Sequence, residues 1–127
     1  MYDIEFKVLV GKILSKIEGS VGDEEINIFT NEGIRYRLYH EQDCCENVKV
    51  EDICGDLADL IGSPILMAEE VSGQEDPEGY KPESDYRESY TWTFYKLASI
   101  KGSVTIRFLG ESNGYYSERV SFMQAEP

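Results

Sequence analysis

Tyr90–Leu97, with the sequence YTWTFYKL, is the segment that decides the fold. Every second residue from Tyr90 to Phe94 is aromatic, and threonines fill the positions between them. Alternation with a period of two, in residues that favour extended backbone, predicts a β-strand. A turn at Lys101-Gly102 leads to a second alternating segment over residues 104–108. The two segments predict a β-hairpin.

Further strands are predicted on both sides of this hairpin. Asn113-Gly114 is a dipeptide favoured in type I′ turns, and it predicts a third strand of the same sheet over residues 115–123. Nearer the N-terminus, residues 12–40 show three alternating segments separated by glycine-containing turns. They predict an antiparallel meander whose third strand places four residues on one face: Ile34, Tyr36, Leu38 and His40.

The middle of the chain predicts shorter elements. Residues 48–50 suit a brief strand, residues 56–61 suit a short helix ended by Gly62 and Pro64, and residues 65–68 begin a buried strand. The predicted fold class is therefore α+β, with a mostly antiparallel sheet that is strongly curved or partly closed and one or two short helices. We expect a single domain over residues 1–127, with a long polar loop at residues 72–88 within it.

Composition restricts the function. Twenty-five acidic and twelve basic residues give a net charge of −13. This charge repels phosphate backbones and anionic lipids, so we expect no direct nucleic-acid or membrane binding and favour a protein partner. The N-terminus lacks a signal-peptide pattern, no stretch suits a membrane span, and the three cysteines include an adjacent pair in which a disulfide is strained. We expect a soluble, cytoplasmic protein.

The segment HEQDCCE at residues 40–46 gathers the only histidine and two of the cysteines. With Cys54, the residues His40, Cys44 and Cys45 have the ligand types of a zinc site, but adjacent ligands point apart. A thiolate nucleophile is disfavoured because the neighbouring acids oppose its formation. The preferred interpretation is a structural corner in which His40 is buried and hydrogen-bonded and the cysteines pack as small apolar groups.

Five carboxylates around this segment form a candidate functional surface: Glu41, Asp43, Glu46, Asp52 and Asp56. They lack the glycine and alternating oxygen ligands of an EF-hand loop, and no glycine-rich phosphate loop occurs in the chain. We therefore expect no cofactor and no metal, and we do not expect an enzyme.

Several motifs together resemble a family of small uncharacterised bacterial and phage or prophage proteins, classed as a domain of unknown function. They are HEQDCCE (40–46), VEDI (50–53), GDL (55–57), LIGSPIL (60–66), AEE (68–70), YTWTFYKL (90–97) and GESNGYY (110–116). The resemblance covers nearly the whole chain. It implies a genomic setting but no activity, and it assigns no functional residue.

These observations favour a non-enzymatic acidic accessory domain of a phage or mobile element that acts on a protein partner. Anti-defence activity, in which acidic groups mimic nucleic acid, is one version of this hypothesis. Two alternatives remain open. One is a metal- or thiol-dependent site at His40, Cys44, Cys45 and Cys54, and the other is a structural homo-oligomer or virion component joined through a sheet edge.

Overall fold

The computed structural model describes residues 3–83 and 87–126. Within these residues the regular elements are eight β-strands and two single-turn 3-10 helices, with no α-helix. The strands are β1 (Leu14–Glu18), β2 (Glu25–Thr30), β3 (Arg35–Tyr39), β4 (Asn47–Cys54), β5 (Met67–Gly73), β6 (Ser89–Ser99), β7 (Gly102–Ser112) and β8 (Ser121–Ala125), and the 3-10 helices are Phe6–Leu9 and Leu57–Leu60.

The strands form two separate antiparallel sheets. The first has the order β1-β2-β3-β8 and the second the order β4-β7-β6-β5. The predicted α+β class, with one strongly curved or partly closed sheet, is therefore wrong. Two sheets form because each has one apolar face, and the two faces bury each other around a shared core.

Strand alternation explains the core. In β2 the residues Ile26 and Ile28 are fully buried, whereas their neighbours are half-buried on the outer face. The same phase in β6 and β7 turns Tyr95, Leu97 and Ile106 inward. Phe6, from the first 3-10 helix, packs between the sheets, with its ring centroid 4.8 Å from that of Tyr95 and 5.1 Å from that of Phe122.

The predicted meander and the predicted turn at Lys101-Gly102 are confirmed, since β1, β2 and β3 pair in sequence and Ser99 pairs with Gly102. The third strand predicted after Asn113-Gly114 is wrong. Strand β8 begins only at Ser121 and pairs with β3 of the first sheet. The connection crosses between the sheets because Val120 and Phe122 are apolar and become buried in the shared core.

The helix predicted at residues 56–61 is reduced to one 3-10 turn. The side chain of Asp56 accepts a hydrogen bond of 3.0 Å from the backbone N–H of Ala58. Gly62 follows with a φ of 85°, and this left-handed backbone conformation ends the helix before a second turn. No helix in the described part of the chain is long and apolar enough to span a membrane.

Candidate functional site

Residues 40–46 connect β3 of the first sheet to β4 of the second, and we call this connection the corner. Its centre is a buried pair: 4% of the His40 side chain and none of the Glu46 side chain is exposed. The His40 Nε2 atom lies 2.7 Å from Glu46 Oε2, and Nδ1 lies 2.7 Å from the backbone oxygen of Arg119. His40 therefore links the corner to the segment that precedes β8.

The Glu46 carboxylate organises the turn. It accepts hydrogen bonds from the backbone N–H groups of Asp43 (3.0 Å) and Cys44 (2.8 Å). It also accepts a longer hydrogen bond, of 3.3 Å, from the side-chain amide of Gln42. Burial raises the pKa of Glu46, but the hydrogen bonds from His40 and the backbone outweigh burial and lower that pKa from 4.5 to about 2. Glu46 is thus an ionised structural group.

Both ring nitrogens of His40 are in hydrogen-bond contact. One lies against a backbone carbonyl oxygen and the other against the Glu46 carboxylate. His40 is buried and hydrogen-bonded, as the sequence predicts, and its ring is fully engaged.

The cysteines differ from their predicted positions. Cys44 and Cys45 are exposed, and the structure joins their sulfur atoms. Their predicted packing as small apolar groups is wrong because Glu46, with its several hydrogen-bond donors, takes the interior position instead. Cys54 is a free, exposed residue at the end of β4. Within residues 3–83 and 87–126, no group of three or more histidine, cysteine or acidic residues is placed to hold a metal ion.

The five candidate surface carboxylates have different environments. Glu41 and Asp43 are exposed beside the corner. Glu46 is interior, Asp56 caps the second 3-10 helix, and Asp52 lies 3.8 Å from the guanidinium of Arg107. The structure therefore gives four of the five a contact, since Glu41 accepts a long hydrogen bond of 3.4 Å from the Tyr39 hydroxyl. The Asp43 side chain is exposed and has no hydrogen bond or ion pair among the described residues.

A second feature is the loop between β5 and β6, which corresponds to the predicted polar loop at 72–88. Its residues 84–86 lie outside the described part of the chain. Residues 74–83, which we call the acidic loop, fold back onto the outer face of the second sheet. The Asp76 carboxylate accepts a hydrogen bond of 3.0 Å from Trp92 Nε1 and two from Arg87, at 3.0 and 2.7 Å. The Tyr80 ring meets the Trp92 ring edge to face at 4.8 Å.

These contacts fix the acidic loop. Trp92 is completely buried although it lies on the outer face of its strand, because the loop covers one side of its ring and the Arg107 guanidinium lies 5.2 Å from the ring centroid. Hydrogen bonds from Arg87, and then from Trp92, lower the pKa of Asp76. Sequence reasoning missed this arrangement because the pattern of β6 shows alternation but does not show which face a loop will cover.

The charges of the molecule are unevenly compensated. Counting carboxylates of the described residues alone, seven of the twelve basic side chains lie within 4.0 Å of one: Lys7, Lys12, Lys16, Arg37, Arg87, Arg107 and Arg119. In the acidic loop, by contrast, Glu75, Glu78 and Glu83 are exposed and have no basic partner among the described residues. The field of the loop is therefore negative.

Comparison with known proteins gives one match. A family model described as a domain of unknown function, DUF7448, matches residues 7–122. No curated protein and no solved structure matches the chain. The matched range includes every strand except the last three residues of β8, together with the corner and the acidic loop. The chain therefore belongs to the DUF7448 family.

Proposed function

We propose that this protein is a non-enzymatic binding domain that presents a fixed acidic surface to a basic protein partner. The observation that carries the proposal is the anchoring of the acidic loop through Asp76, Trp92 and Tyr80. A loop held in one conformation loses little conformational entropy on binding. Its exposed carboxylates attract a basic partner over a distance of about a Debye length.

The rest of the geometry supports binding rather than catalysis. The one histidine is fully engaged by Glu46 and a backbone carbonyl, so it has no free nitrogen for proton transfer. The carboxylate with the largest pKa shift, Glu46, is interior and holds the turn. We further propose that the protein is a cytoplasmic accessory protein of a phage or prophage, and that its partner is a basic, nucleic-acid-binding protein whose groove the acidic loop occupies.

The proposal is tested by charge removal at constant fold. Glu75→Gln, Glu78→Gln and Glu83→Gln are combined in one variant, and Glu18→Gln, Glu24→Gln and Glu32→Gln are combined in a control with the same net charge. Each protein is immobilised, retained host proteins are eluted with rising salt and identified, and the purified partner is titrated at low and high ionic strength.

We expect a basic partner that binds the wild type and the control alike, binds the loop variant more weakly, and dissociates as salt rises. We also expect the free domain to displace DNA or RNA from that partner. Equal affinity of the two triple variants, or an affinity indifferent to salt, contradicts the proposal. Neighbouring phage replication or anti-defence genes are expected around the coding sequence, and a conserved metabolic operon there counts against the phage setting.

A further inference from the structure

Strand β5 differs from the other strands at the edges of the two sheets, which are β1, β4 and β8. Each of those three accepts a backbone hydrogen bond from a segment outside its sheet, at Leu14 of β1, Val50 of β4 and Phe122 of β8. In the described part of the chain, residues 67–73 of β5 have no backbone hydrogen bond beyond their pairing with β6. An edge strand directs the N–H and C=O groups of alternate residues outward, so β5 presents an unpaired row of both.

The second half of β5 is accessible as well as unpaired. Five consecutive residues, 69–73, are exposed, and because successive side chains point to opposite faces, both faces of this half are open to solvent. The first 3-10 helix packs against β5 but forms no backbone hydrogen bond with it among the described residues. Glu70 and Ser72 line a cavity of about 290 Å³ on the inner side of the strand. A further chain therefore has access to this edge.

The charge of the edge is negative on both faces. Glu69 and Glu70 are successive residues, so one carboxylate lies on each face of β5. Lys96 is the cross-strand neighbour of Glu69, but neither carboxylate lies within 4.0 Å of a basic group among the described residues. The edge thus combines unpaired backbone groups with two carboxylates that no ion pair compensates within this part of the chain.

We propose that the edge of β5 binds an extended basic segment of the protein partner as an added strand. The inference rests on the proposed function, because the segment belongs to the basic partner. Backbone hydrogen bonds supply affinity in this mode of recognition, and two successive basic side chains of the added strand meet Glu69 on one face and Glu70 on the other. Since β5 continues into the acidic loop at residue 74, the edge adjoins the surface that we assign to the partner.

Other occupants suit the edge less well. In a second copy of this chain, antiparallel pairing centred on Glu70 places two like charges directly opposite each other, which is destabilising. Each copy also carries a net charge of −13. An acidic segment is repelled for the same reason, and a neutral strand leaves both carboxylates without a partner. Basic tails of nucleic-acid-binding proteins are disordered when free, so their backbone groups are available for pairing.

The probe is the peptide acetyl-Thr-Val-Lys-Lys-Val-Thr-amide, titrated into the isotope-labelled full chain while amide hydrogen exchange is followed by NMR. We expect a Kd of about 1 mM, so that about 10 mM peptide slows exchange about tenfold at the outward N–H groups of β5. These groups belong to alternate residues within 69–73, and the N–H groups bonded to β6 should exchange as before.

Two control peptides separate backbone pairing from charge. N-methylation of both lysine amides removes one N–H from each edge of the peptide and keeps its charge. Replacing both lysines with glutamate keeps every N–H and reverses the charge. Neither peptide should protect β5. Equal protection by the N-methylated peptide shows that charge alone holds it, equal protection by the glutamate peptide shows that charge is irrelevant, and either result overturns the proposal.

Variants of the chain test the same contacts. Glu69→Gln and Glu70→Gln, combined, should weaken peptide binding about two- to thirtyfold, as expected for two lost opposite-charge pairs. Glu18→Gln and Glu24→Gln, combined, form the matched control, because they remove the same charge and Glu18 lies in the edge strand β1. The control should bind like the wild type. Unchanged binding by the β5 variant contradicts the proposal, as does protection of residues 69–73 that rises with protein concentration alone and so reports a second copy.

The outcome is separable from that of the proposed function. If the peptide pairs with β5 but no basic partner is found, the strand-addition site stands and the acidic-loop proposal fails alone. If partner affinity falls in the triple loop variant but not in the β5 variant, the acidic loop suffices for recognition and the added strand is wrong. Partner binding that weakens in both variants supports both.

Discussion

Replacing Tyr95 with phenylalanine should stabilise the protein. A buried polar group without a hydrogen bond destabilises the folded state by about 1–3 kcal/mol. Tyr95→Phe removes that group and keeps the ring contacts with Phe6 and Phe108, whose centroids lie 4.8 and 5.9 Å away. The lost oxygen leaves a void of roughly 10–15 Å³, which at about 24 cal/mol per Å³ destabilises by about 0.3 kcal/mol. The net gain is about 0.7–2.7 kcal/mol.

Urea unfolding followed by tryptophan fluorescence measures this change. With a slope of about 2 kcal/mol per M, the midpoint should rise by about 0.4–1.4 M. Tyr36→Phe is the control, because Tyr36 is a buried core ring whose hydroxyl is not an unpartnered buried atom. It should leave the midpoint unchanged or lower it slightly.

A fall in the Tyr95→Phe midpoint refutes the reasoning. It shows that the hydroxyl is hydrogen-bonded in the folded protein, since a satisfied hydroxyl contributes about 0.5–1.5 kcal/mol. A rise in the midpoint shows instead that the buried hydroxyl lacks a partner and destabilises the fold.

Three further predictions concern the corner, the acidic loop and the turns. Because the pKa of Glu46 falls from 4.5 to about 2 on folding, its stabilising effect is complete above pH 4.5 and is lost as the pH falls toward 2. The urea midpoint should therefore decline less between pH 5 and pH 2 in Glu46→Gln than in the wild type. Equal declines contradict the assigned contacts. Trp92→Phe removes the hydrogen bond to Asp76 and should speed amide hydrogen exchange in residues 76–83. Tyr80→Phe keeps the ring contact with Trp92 and should exchange like the wild type. Equal exchange in the wild type and both variants shows that the Trp92–Asp76 hydrogen bond does not hold the acidic loop. Gly11→Ala and Gly55→Ala both place alanine at positive φ, which destabilises by about 1–2 kcal/mol, but a Cβ at Gly55 lies 2.5 Å from the Ser103 carbonyl oxygen and one at Gly11 meets nothing within 4 Å. Thermal unfolding should therefore show a clearly larger loss for Gly55→Ala, and equal losses exclude the close approach.

Local pattern predicted the strands well but did not predict how they assemble. The alternation in β2, β3, β6 and β7 is encoded in consecutive residues, so it is visible in the sequence. The pairing of β8 with β3 depends on contacts between residues more than 80 positions apart, such as Leu38 and Phe122. Asn113-Gly114 predicts a local turn but does not fix where the following strand pairs, and burial of Val120 and Phe122 decided that.

The site shows the same division. The sequence indicated that His40 is buried and hydrogen-bonded, because it continues the apolar face of β3. It did not indicate that the interior partner is Glu46, since a carboxylate is rarely buried unless several donors surround it. The pairing of Glu70 with Tyr95 was also hidden, because the register between β5 and β6 spans a long connection that contains no turn signal for a two-residue hairpin.

The corner is physically connected to the N-terminal segment through one residue. His40 donates a hydrogen bond to the backbone oxygen of Arg119, and the Arg119 side chain pairs with Asp3. Gly110 allows this path to lie close to β7, since a Cβ there would lie 2.8 Å from the carbonyl oxygen of Glu118. The HEQDCCE segment therefore acts by positioning the backbone of Arg119 and not as a chemically reactive site. Through its hydrogen bond to the Arg119 backbone, it holds the segment whose side chain pairs with Asp3.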